Sequence, residues 1–198
     1  MKKVKLKSKL LLISAGMVFL FGLIVLFQFE NGLSKQKESI VNGFSLYSDS
    51  LSSSISQVFY SQYNNVQAFA KNDAIKNIKE PANIEFILNE IITLYPLNDA
   101  IIVTDLKGNF VSSSSINAEG KKINSKAFKG HNFSNEKWFK DAVGGKLTED
   151  FKKKIFGSRL GAPVVDEMIS AAYGSKRYGT HFTTMIEDEY GDPLGVLT

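Results

Sequence analysis

The residue types best suited to chemistry are two histidines, His131 and His181, and three tight groups of carboxylates. Each histidine stands alone beside a turn, where an imidazole usually serves as a surface or hydrogen-bonding group rather than a base. Glu149 and Asp150, and likewise Asp166 and Glu167, are adjacent in sequence. Neighbours on a regular helix or strand point to different faces, so neither pair builds two facing carboxylates. Glu187, Asp188, Glu189 and Asp192 bracket a turn but lack the regularly spaced oxygen ligands of a calcium loop. There is no GxSxG, P-loop, GxGxxG or HExxH motif, and no cysteine for a disulfide or a thiolate metal site. The expected protein is not an enzyme, and it has no catalytic residues, metal site or cofactor.

The elements around these residues start with a membrane span. Residues 10–29, LLLISAGMVFLFGLIVLFQF, carry no charge, and their only polar members are Ser14 and Gln28. A helix of that length reaches about 30 Å, the thickness of a bilayer's hydrocarbon core. It is apolar all round, unlike a core helix, and lacks a small-x-small cleavage site at its exit. Five lysines precede it within MKKVKLKSK, which places the N-terminus in the cytoplasm and the bulk of the chain outside. The formal net charge of +4 comes from those lysines; the rest is nearly neutral and offers no clustered basic face for nucleic acid.

From about residue 33 to 72 apolar residues recur every three or four positions: Ile40, Phe44, Tyr47, Leu51, Ile55, Val58, then Val66 and Phe69. This narrow stripe, close to a coiled-coil seam, predicts a long helix seeking a partner helix, and hence a homodimer. A second helix is expected from an Asn83 cap, with Ile84, Ile87, Leu88 and Ile91 at i, i+3, i+4 and i+7. Residues 100–104 and 110–113 flank Asp-Leu-Lys-Gly-Asn and read as a hairpin. Ser134 is expected to cap a helix over 135–143, stopped by Gly144-Gly145. A strand is expected near 151–156, a helix or a strand over 163–173, and a strand over 178–186 in which Tyr178, Thr180, Phe182, Thr184 and Ile186 share a face. After the Asp188–Gly191 turn, residues 194–197 open a further strand. The sequence reads as the front part of a longer α+β protein.

The span, the long helix, then VTDLKGNFVSSS, NFSNEKWFKDAVGGK and MIEDEYGDPLGVL in that order resemble the double Cache sensor domain. That domain is the extracytoplasmic half of many bacterial methyl-accepting chemotaxis proteins. The resemblance implies a cytoplasmic N-terminus (1–9), a transmembrane helix (10–29) and a long extracytoplasmic helix (30–80). A membrane-distal PAS-like Cache module with an antiparallel sheet (81–198), incomplete at its C-terminus, would follow. It implies a small-molecule ligand, an inner-membrane location, and contact with cytoplasmic chemotaxis proteins only through a part beyond Thr198. Members that bind amino acids look like R-x-W-Y on the short helix, preceded by a Tyr. Here that slot reads Glu136-Lys137-Trp138-Phe139, with His131 in the Tyr position. The ligand-binding candidates are therefore Trp138, Phe139, Glu136 and His131. A glutamate facing a ligand carboxylate repels it, so amino-acid binding is not carried over. The alternatives are the same sensor joined to a histidine kinase or a diguanylate cyclase, and a stand-alone membrane-tethered binding protein.

Overall fold

The computed structural model describes residues 6–198, with side chains from Ser14 onward and not that of Lys153. Part of the lysine-rich start, at residues 1–5, lies outside the described residues. One helix, α1 (Leu6–Ala70), accounts for the first third of the chain. Its stretch through the twenties is long and apolar enough to cross a membrane. The chain divides into two compact units, residues 1–56 and 57–198.

In the first unit the apolar stripe is bare. Phe44, Tyr47, Leu51 and Ile55 are 71, 69, 49 and 50% exposed, so among the described residues this part of the seam read from the sequence has no cover within its unit, whereas Val66 and Phe69, in the second unit, are buried.

The second unit begins on the last turns of α1 and continues through α2 (Asp73–Lys76) and α3 (Pro81–Leu94). Asn72 caps α2, its side chain accepting the Ala74 amide. Helix α3 starts earlier than its apolar spacing suggested. Glu80 is the cap residue rather than Asn83, and Pro81 occupies the first turn, where its missing N–H costs nothing. Strands β1 (Ile102–Asp105) and β2 (Phe110–Ser113) form the expected hairpin. Asp105 Oδ1 accepts the amides of Lys107 and Asn109, both at 2.8 Å. Gly108 takes φ +78° there, and a Cβ on it would meet the Ser134 amide nitrogen at 2.4 Å.

The short helix α4 (Lys137–Val143) begins later than expected. A 3-10 turn over Phe133–Asn135 comes first, capped by Asn132 instead of Ser134. Residues 151–156 are not a strand. Phe151–Lys153 form a 3-10 turn closed by the Asp150–Ile155 bridge, with Phe151 exposed. The ambiguous 163–173 stretch is both things in succession, β4 (Val164–Asp166) and then α5 (Glu167–Tyr173). The long strand expected over 178–186 is broken at Thr180–His181 into β5 (Arg177–Gly179) and β6 (Phe182–Glu187). With β3 (Arg159–Leu160) and β7 (Pro193–Leu197), the main antiparallel sheet has the order β2-β1-β7-β6-β3, while β4 and β5 pair separately.

Alternation along the strands divides the core in two. Val103, Leu197 and Ile186 face α1, α2 and α3, meeting Val66, Phe69, Ile84 and Leu88. Ile102 and Val196 face the other way, toward Phe128, Phe133, Trp138, Phe139 and Ala172. The fold is thus an antiparallel sheet with helices on both faces. Gly195 lets β7 close on β1, since a Cβ there would lie 2.3 Å from the Thr104 carbonyl oxygen. Tyr63 ties α1 to the loop before β3. It is 3% exposed, its hydroxyl lies within 2.8 Å of the Thr148 and Ser158 carbonyl oxygens, and it accepts the Ser158 amide at 2.9 Å.

Candidate functional site

A cavity of about 320 Å³ opens where β1 begins, β7 ends and the β4–β5 hairpin folds over. Its apolar wall includes Val66, Phe59 and Phe182, the last two rings tilted at a centroid distance of 5.8 Å. Its polar wall includes Asp99, Asp166, Arg177, His181 and Thr198. Volume and mixed lining suit a small solute with both an apolar part and a charged part.

Asp166 is fixed from two sides. Its Oδ1 accepts the Ile169 amide at 2.8 Å and caps α5, and its Oδ2 lies 2.9 Å from His181 Nε2. Burial alone would raise this carboxyl. The hydrogen bonds from His181 and the Ile169 amide outweigh it and hold the group below the usual carboxylate range. His181 Nδ1 lies 3.1 Å from Thr198 Oγ1, which lies 2.9 Å from Thr183 Oγ1. With Nε2–H donating to Asp166, Nδ1 accepts from Thr198, whose oxygen accepts from Thr183; every member of the chain is then satisfied. The His181 main chain is held too, its carbonyl accepting the Gly161 amide at 2.8 Å.

Arg177 enters from β5, its guanidinium over the Tyr173 ring at 4.3 Å. The Tyr173 hydroxyl donates to the Asp99 carbonyl oxygen at 2.6 Å. Burial, then the Asp99 carboxylate, pushes the Tyr173 phenol up.

None of the four residues singled out from the sequence lines this cavity. Trp138 and Phe139 are each 5% exposed within the second core cluster. Trp138 reaches the cavity indirectly, its indole stacked on His181. Glu136 precedes α4, and His131 Nε2 lies 3.8 Å from its Oε1. The His131 ring packs edge-on against Phe133 at 4.6 Å. Trp138 and His181 are thereby brought together, while Glu136 and His131 form a separate pair. Within α4, Asp141 accepts from Lys137 and Arg159, both at 2.7 Å, and these bonds hold its carboxyl below the usual range.

Asp99, Arg177 and Thr198 were not singled out from the sequence, and Asp166 was considered there only as half of an adjacent acidic pair and set aside. Only Asp166 left a local sign, an N-cap residue before the apolar spacing of Met168, Ile169 and Ala172. Among the described residues no group of three or more His, Asp or Glu is placed to hold a metal ion.

No protein-family model matches the chain, and no curated protein matches it. The chain is similar to two solved structures of the ligand-binding domain of the Pseudomonas fluorescens chemoreceptor CtaA. The one in complex with L-serine is 21% identical, with a TM-score of 0.44, over 72% of this chain and 50% of that one. The one in complex with L-isoleucine is 21% identical, with a TM-score of 0.45, over 73% of this chain and 49% of that one. The chain spans about half the length of these domains.

Proposed function

We propose that this chain is the ligand-sensing region of a bacterial chemotaxis transducer of the Cache type, displayed outside the inner membrane and anchored by α1. The observation that carries the reading is the cavity at the end of the sheet. It offers an aromatic wall and fixed charged groups, among them the Asp166–His181 pair, for a small solute. The order of the span, the long helix, the two Asp-x-x-Gly hairpins and the Trp138 helix between them supports the family reading.

In this reading a solute in the cavity favours one packing of the sheet against α1, and α1 carries that bias toward the membrane. Trp138 acts through the His181 ring that it backs. Phe139, Glu136 and His131 hold the α4 region in place behind the ligand. A second copy of the chain covers the bare stripe at Leu51 and Ile55.

The test is a thermal-shift screen of the 198-residue chain in lipid nanodiscs against small neutral, anionic and cationic solutes. A true ligand is expected to stabilise by about 2–3 kcal/mol at one hundred times its dissociation constant. The reading fails if no solute in any charge class shifts the transition.

A further inference from the structure

Arg177 has hydrogen-bonding capacity left over. A guanidinium presents five N–H donors in a planar fork. Arg177 Nε is buried and has no hydrogen-bond partner among the described residues. Its Nη1 stands 3.7 Å from Asp99 Oδ1, an ion pair too long for a hydrogen bond. Burying a donor unpaired is unfavourable, and one carboxylate takes two donors of the fork side by side.

Two other charged groups nearby, Arg159 and Asp166, are already engaged. Arg159 Nε is spent on Asp141 at 2.7 Å, and that side chain is 10% exposed. Asp166 uses one oxygen on the Ile169 amide and the other on His181. Arg177 differs in remaining 41% exposed along its side chain, so a solute in the cavity can reach it. It is also aimed in advance: the Tyr173 ring beneath it is tied through its hydroxyl to the Asp99 carbonyl. Little rotamer freedom is then lost on binding.

We infer that Arg177 is the anion-binding group of this cavity and that the solute it selects is a small monocarboxylate. Asp99 and Asp166 set the limit of one negative charge, because a second carboxylate would be held against one of them. The rest of the solute lies toward Phe59, Phe182 and Val66. The inference deepens the proposed sensing function and rests on it.

The test titrates the full chain in nanodiscs with short-chain monocarboxylates, unsubstituted, hydroxylated and aminated, each paired with its primary amide. Binding is read as the shift in melting temperature. At least one acid is expected to stabilise the wild type while its amide does not. Arg177→Gln is expected to weaken that acid about 10- to 100-fold. Arg177→Lys keeps the charge and loses the fork, so it is expected to bind with intermediate strength and to melt as wild type without solute. That variant decides the matter if Arg177→Gln fails to fold. Equal binding of acid and amide, or wild-type binding by either variant, overturns the role of Arg177 and leaves the sensor reading intact. If only neutral or cationic solutes stabilise the wild type, the monocarboxylate assignment falls while sensing stands. If none does, both fall.

Discussion

The indole of Trp138 lies flat on the imidazole of His181, with ring centroids 5.7 Å apart and 18° between the planes. Trp138 belongs to the buried core of α4, whereas His181 belongs to the cavity wall. One contact therefore joins the packing of the short helix to the polar chain running through Asp166 and Thr198. Replacing His181 with Ala removes the plate beneath the indole and leaves Asp166 Oδ2 without its imidazole partner. The expected cost is about 1–3 kcal/mol, measured as the change in urea unfolding free energy.

Acid should act on the same chain. Asp166 titrates below the usual carboxylate range in the folded protein, because its hydrogen bonds outweigh its burial. The stability it contributes is full above the unfolded carboxylate value, about pH 4, and is lost as pH falls through the lower folded value. Asp105 and Asp141 are lowered as well, so the wild type alone does not isolate Asp166. The difference in unfolding free energy between wild type and Asp166→Asn is expected to be largest near neutrality and to shrink below about pH 4. A difference that stays flat across that range contradicts the assignment.

The contact between β7 and β1 leaves no room at Gly195. An added Cβ would lie 2.3 Å from the Thr104 carbonyl oxygen, which is main chain and cannot rotate away. Gly195→Ala is expected to destabilise by about 3 kcal/mol or more, read from the denaturation midpoint. Ala at Gly120, where the added atom meets nothing within 4 Å but φ is +73°, is expected to cost less, about 1 kcal/mol.

How much of this was legible in the sequence depends on how local each signal is. The apolar span, the Asp105–Asn109 hairpin and the helical spacing through Ile84, Leu88 and Ile91 rest on neighbours within a few residues, and the structure has them. The strand expected at 151–156 failed for a physical reason. Its two phenylalanines stack on each other at 6.5 Å on a tight loop, where Asp150 accepts the Lys152 amide and pairs with Ile155. Ser134 lost its cap to Asn132 because the 3-10 turn begins earlier. The cavity was out of reach altogether. Asp99, Asp166, Arg177, His181 and Thr198 come from separate stretches that only the sheet order and the β4–β5 hairpin bring together. Trp138 was visible as the one tryptophan, but its stack on His181 was not.

The bare stripe on α1 predicts contact between two chains. Leu51 and Ile55 are about half exposed on a helix that no described residue of its own unit covers. Single cysteines at either position are expected to give an inter-subunit disulfide on oxidation in native membranes, seen as a doubled mass on non-reducing gels. A cysteine at Ser53 or Ser56, off the seam, should cross-link far less. Equal yields at all four positions, or none, contradict a dimer packed along this seam.

Hydrogen–deuterium exchange of the full chain in nanodiscs, with and without a solute that raises its melting temperature, tests the sensing reading most directly. The expected result is slowed exchange in residues 97–102 and 166–182, which wall the cavity, with residues 117–126 unchanged. Slowing confined to segments away from the cavity, or none at saturating solute, would contradict it.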